Sequence, residues 1–129
     1  GGTPLEEGIN ELKTRELAQK NNIKIAAYGY SKEVEIAKRL QQIIGKEVMD
    51  ELTFVSSHER KNFLTDKLGD REAELYELIS SKMIEKSASY FDKLSQVNDP
   101  FEKAKLYESV DYGEVYQIID NYKRRNYSH

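Results

Sequence analysis

The chain has 129 residues, no cysteine, a net charge of −3, and 33% charged residues of interspersed sign. That composition excludes a disulfide framework, thiolate metal centres, a disordered polyelectrolyte, and the broad basic field of non-specific nucleic-acid binders. Its 27 Leu, Ile and Val, with four Phe and nine Tyr, suffice for one helical core. The uncharged runs are too short to span a bilayer, and no signal-peptide pattern opens the sequence.

Gly1-Gly2 reads as a cloning scar, so the chain is read as a piece cut from a larger protein. Residues 3–125 are expected to form a single helical domain, followed by a flexible tail at 126–129. Four capping boxes punctuate it: Thr3-x-x-Glu6, Ser56-x-x-Glu59, Asp99-x-x-Glu102 and Asp111-x-x-Glu114. In each, the first side chain can accept a free backbone N–H, and the Glu can reach back. Pro4 and Pro100 follow two of these caps, where a missing N–H costs nothing.

The first helix is predicted from about Pro4 to Lys20, with Leu5, Ile9, Leu12 and Leu17 inward. Ile23 to Ala27 alternates and reads as one short extended segment or irregular linker. Ser31 is the expected cap of a helix with Val34, Ala37, Leu40, Ile43 and Ile44 inward, stopped at Gly45. Val48, Met49, Leu52 and Val55 mark a short helix. Another is expected from Ser56 to Leu68, with Gly69 beyond it.

Asp70 is the expected cap of the longest helix, reaching about Val97. Its predicted inner face is Leu75, Leu78, Ile79, Met83, Ala88, Phe91 and Leu94. Asn98-Asp99-Pro100 turns into a short helix with Phe101, Ala104 and Tyr107. Asp111 begins the last one, with Val115, Ile118, Ile119 and Tyr122 inward. The sum is an all-α fold of six or seven helices, a bundle or an orthogonal array. Phe63, Leu75, Ile79, Phe91, Leu94, Phe101 and Ile118 are its expected core.

Catalytic signatures are absent from this sequence. It has no HExxH, no GxSxG elbow and two histidines, His58 and His129. No catalytic residue, metal or cofactor is expected. Tyr28, Tyr30, Ser31 and Lys32 surround one glycine before a helix start, which makes them the candidate small-molecule or anion site. Lys123, Arg124 and Arg125 are candidate nucleic-acid contacts, although complementing a helix C-terminus explains them more simply.

Leu106 to Asp120 carries four acids and three tyrosines without one Lys or Arg. Glu108, Asp111, Tyr112, Glu114, Tyr116, Gln117 and Asp120 are therefore the expected contact face for a protein with a basic surface. The preferred reading is a protein-interaction module, regulatory, adaptor or assembly in role. A nucleic-acid accessory domain ranks second, and an enzyme centred on Tyr28 to Lys32 third. No membrane association is expected. The expected compartment is the cytoplasm, with a secreted effector fragment as the alternative.

Overall fold

The computed structural model describes residues 2–24 and 29–127. They form α1 Pro4–Lys20, α2 Ser31–Ile44, α3 Lys46–Leu52, α4 Arg60–Lys67, α5 Asp70–Leu94, α6 Pro100–Glu108 and α7 Gly113–Tyr127. A single 3-10 turn, Ser57–Glu59, precedes α4. No strand occurs among the described residues, and the domain is all-α as the periodicity requires. Ile23 and Lys24 are non-helical, while residues 25–27 of the expected extended segment and Tyr28 lie outside the described residues. No helix among them is long and apolar enough to cross a membrane.

α1 and α2 run in the same sense. Gly8 of α1 faces the backbone of Glu33, and Lys13 and Glu16 both reach Gln41. A Cβ on Gly8 would lie 2.5 Å from the Glu33 carbonyl oxygen, so the missing side chain sets how closely the two helices approach. Arg15 of α1 donates to the Gly29 carbonyl, just ahead of α2, at 3.0 Å.

α3 and α4 close the other side of α1. Lys13 pairs with Asp50 at 2.6 Å, and Arg60 pairs with Glu6 at 2.9 Å, both Arg60 and Glu6 being largely covered. α5 and α7 are antiparallel neighbours: Arg71 bonds Asn126 near one end, and Lys82 and Lys86 both pair with Glu114 at 3.3 Å near the other. The core between these helices holds Leu5, Ile36, Leu40, Met49, Leu64, Ile79, Met83 and Ile119, all with essentially no exposed surface.

At two of the four capping boxes the cap side chain makes its bond to the first turn. The Thr3 hydroxyl accepts the Glu6 N–H at 3.2 Å, and Asp99 accepts the Phe101 N–H at 3.0 Å. Glu6 departs from the box, accepting instead the Thr3 hydroxyl and the Arg60 guanidinium. Ser56 makes no side-chain cap bond, and its segment opens as a 3-10 turn. Asp111 accepts from the Gly113 N–H at 2.8 Å, and the helix starts at Gly113 rather than directly after the aspartate. Ser31 and Asp70 are first helical residues, with Tyr30 and Gly69 at the caps in positive-φ conformations of 55° and 123°. The long helix ends at Leu94, and Asn126 and Tyr127, expected in a tail, complete α7.

The expected core is corrected at its aromatic residues. Leu75 and Ile79 are buried, and Phe63, Leu94 and Ile118 are partly buried, but Phe91 is 41% exposed and Phe101 78%. On α5 the deepest stripe is Ala73, Tyr76, Ile79, Met83 and Ser87, with Tyr90 packed against it. Phe91 follows Tyr90 and is rotated about 100° out of that stripe. α6 buries none of its residues fully and rests on the body through Leu106 and Tyr107, leaving Phe101 on its outer first turn.

Candidate interaction surfaces and a buried carboxylate

The α2 N-terminus is where the sequence suggests an external anion. The anion there is the chain's own. Glu33 sits in the first turn of α2 and is almost wholly buried. Tyr107 donates to one of its carboxylate oxygens at 2.6 Å and Tyr112 to the other at 2.5 Å. The positive end of the helix dipole adds to these two bonds in offsetting the cost of removing the carboxylate from water. The Tyr107 oxygen also accepts the Lys32 backbone N–H at 2.8 Å, replacing the cap expected from Ser31.

Lys32 is similarly committed. Its ammonium donates to the carbonyls of Tyr107, Glu108 and Val110 at 3.0, 3.0 and 2.7 Å, and lies 5.1 Å from the centre of the Tyr107 ring. It therefore satisfies the open carbonyls at the end of α6 and ties that helix to α2. Tyr30 and Ser31 are exposed, and Tyr28 lies outside the described residues. Burial, followed by the bond to Glu33, raises the pKa of both Tyr107 and Tyr112 above the ordinary phenol value, so both stay protonated donors at neutral pH.

The expected acidic contact face divides. Glu108, Asp111, Glu114, Gln117 and Asp120 are exposed, but Tyr112 points inward to Glu33 and is 4% exposed. Tyr116 is half-buried and stacks on Arg39, whose guanidinium carbon lies 4.8 Å from the ring centre. Glu114 is already matched by Lys82 and Lys86. Lys86 first, then Lys82, holds its carboxyl below the usual range. The face is thus less acidic than its sequence, because α5 supplies the cations that Leu106 to Asp120 lacks.

Lys123, Arg124 and Arg125 occupy the last turns of α7. Three consecutive helical residues fan about 100° apart, so they do not build one basic stripe. Lys123 is half-buried, Arg124 bonds Asn121, and Arg125 turns toward a groove between α7 and α5. That groove, about 470 Å³, has Leu75, Leu78, Ile118 and Tyr122 as its apolar surface. Leu78 remains 51% exposed there. Arg71 and Arg125 line it with Asn126, and Glu74 also lies on it. Burial pushes the Tyr122 phenol up to about 12, with Glu72 adding to the shift.

Other large apolar side chains stand outside the core. Phe54, 91% exposed, shares a shallow depression with Leu17. Ile84, Ala88 and Phe91 follow i, i+4, i+7 along one open face of α5. Sequence reasoning missed Glu33 and Arg71. Glu33 was legible, since 33, 37, 40 and 44 recur at helical spacing on the inner stripe of α2. Arg71 had no comparable signal, because its place depends on α7 returning antiparallel to α5.

Among the described residues no three His, Asp or Glu side chains converge as a metal site, and His58 is exposed beside Glu59. No protein-family model, curated protein or solved structure matches the chain.

Proposed function

We propose that this chain is a helical protein-interaction module whose partner docks in the groove between α5 and α7. The observation that carries this reading is Leu78, half exposed on a two-helix seam beside Leu75, Ile118 and Tyr122, with polar and charged side chains around them. Apolar side chains grouped in a concavity and rimmed by charge are the usual anatomy of a docking site, whereas apolar residues scattered singly mean little. The groove supports this function better than the acidic face does, since Tyr112 is internal and Glu114 is already paired.

The test uses wild-type protein and the variant Leu78→Glu as matched baits in an extract of the native host. Position 78 is exposed and mid-helix, so the variant should keep its helical circular dichroism and its Tm. A protein held by the wild type and lost by Leu78→Glu is the expected result. Identical captured sets would overturn the groove. Salt-sensitive binding of duplex DNA, lost on neutralising Lys123, Arg124 and Arg125, would instead favour the nucleic-acid reading.

A further inference from the structure

We infer that the groove between α5 and α7 takes an acidic amphipathic helix, an inference that rests on the docking role proposed for that groove. The geometry sets the shape. α5 and α7 lie antiparallel, joined by Arg71 to Asn126 near one end and by Lys82 and Lys86 to Glu114 near the other. From Arg71 to Leu78 the groove covers two turns of α5, about 10 Å of helix axis. A seam between two helices accepts the ridge of a third, so a short helix with apolar residues on one face seats against Leu75, Leu78 and Ile118.

The charges set the chemistry. Arg71 and Arg125 both line the groove, and neither is paired with a carboxylate among the described residues. Arg71 bonds the neutral Asn126 side chain instead. Lys82 and Lys86, farther along α5, are already matched by Glu85 and Glu114, so the two arginines are the cations left for an incoming group. A guanidinium binds a carboxylate through two parallel N–H donors. Glu74 lines the groove one turn along α5 from Arg71, and Glu72 faces Tyr122. Glu74 disfavours acid over the middle of the occupant, so the complementary carboxylates belong at the end beside Arg71 and Arg125.

The probes are two synthetic amphipathic helices of about 14 residues, long enough to be partly helical alone. They share one leucine face and carry either Glu or Lys near the end that meets the arginines. Binding is read by fluorescence anisotropy and by amide shifts at Leu78, Ile118 and Tyr122. The Glu peptide should bind at least about tenfold tighter at low salt, with the advantage shrinking as salt screens it. The double variant Arg71→Glu/Arg125→Glu should reverse the preference while its circular dichroism and Tm hold. Equal affinities with shifts at Leu78 and Ile118 would overturn the acidic occupant and leave the docking groove standing. No shift at those residues with either peptide would overturn both.

Discussion

The hydroxyl of Tyr112 and the carboxylate of Glu33, 79 residues apart in sequence, meet at 2.5 Å in the interior. Tyr112→Phe removes the donor and leaves that carboxylate oxygen without it. Leaving a buried acceptor unsatisfied costs about 1–3 kcal/mol, and more when the group is charged. Chemical denaturation should show Tyr112→Phe and Glu33→Gln both destabilised, with a double variant costing less than their sum because the two act on one network. Strict additivity would mean that the pair contributes nothing as a pair.

Stability should fall at high pH through the phenols. Burial pushes Tyr76 up to about 12 and Tyr122 to about 12, and Tyr107 and Tyr112 are raised as well. An unfolded tyrosine titrates near about 10. Because the folded values are higher, this contribution is complete below about pH 10 and is lost as pH climbs from there through the folded values. Phenolate absorbance should rise in two stages, the second coinciding with loss of helical circular dichroism. One smooth titration with no unfolding would contradict the burial of these hydroxyls.

On the acid side the sign reverses. The Lys13 bond lowers the Asp50 pKa, and Lys86, then Lys82, lowers that of Glu114. Their contribution is present above the ordinary carboxylate range and is lost as pH falls through the depressed folded values. Asp50→Asn should therefore flatten the acid limb of a Tm-against-pH curve. An unchanged limb would show that the Lys13–Asp50 pair between α1 and α3 is screened to nothing.

Gly8→Ala should separate α1 from α2. The new methyl would meet the Glu33 carbonyl oxygen at 2.5 Å and its carbon at 2.7 Å, backbone atoms that cannot turn aside. Overpacking of this kind costs about 1–3 kcal/mol. Gly29→Ala, which has open space around its Cβ position, is the control and should leave the Tm nearly unchanged. Equal effects at the two sites would remove the close approach as a determinant of the fold.

Truncations should rank by depth and not by side-chain size. Ile79→Ala should cost about 2–5 kcal/mol, whereas Phe91→Ala and Phe101→Ala should cost much less than the 3–5 kcal/mol of an enclosed phenylalanine. Guanidinium melts of the three variants decide it. A large loss at Phe101 would place α6 inside the core.

Much of the fold was legible because helix ends and apolar stripes are local. Thr3, Asp99, Gly45 and Gly69 mark boundaries through their own backbone preferences, and Val34, Ala37, Leu40 and Ile44 mark one face through spacing alone. The misreadings arise where a distant residue decides. Phe91 fits an apolar stripe on paper, but Tyr76, Met83, Ser87 and Tyr90 define the inner one. Tyr112 reads as a contact residue beside acids until Glu33, far away in sequence, claims its hydroxyl. Glu114 reads as a free charge until α5 brings Lys82 and Lys86 to it. Lys32 fits an anion site, but the end of α6 consumes its donors. The candidate groove itself was invisible, since Leu78 was predicted inward with nothing to show that α7 leaves it half exposed.

The parallel run of α1 and α2 also constrains the order of assembly. Nearness in sequence allows α2 to pair with α1, and α4 with α5, soon after local helix forms. Tyr107 and Tyr112 must travel back across the chain before Glu33 has any partner, and closing such a long loop is entropically slow. Until they arrive, the carboxylate has to keep its water, and the α2 start cannot close over it. Sealing of this corner should therefore come late, and Tyr112→Phe should accelerate unfolding while leaving the refolding rate nearly untouched in stopped-flow measurements.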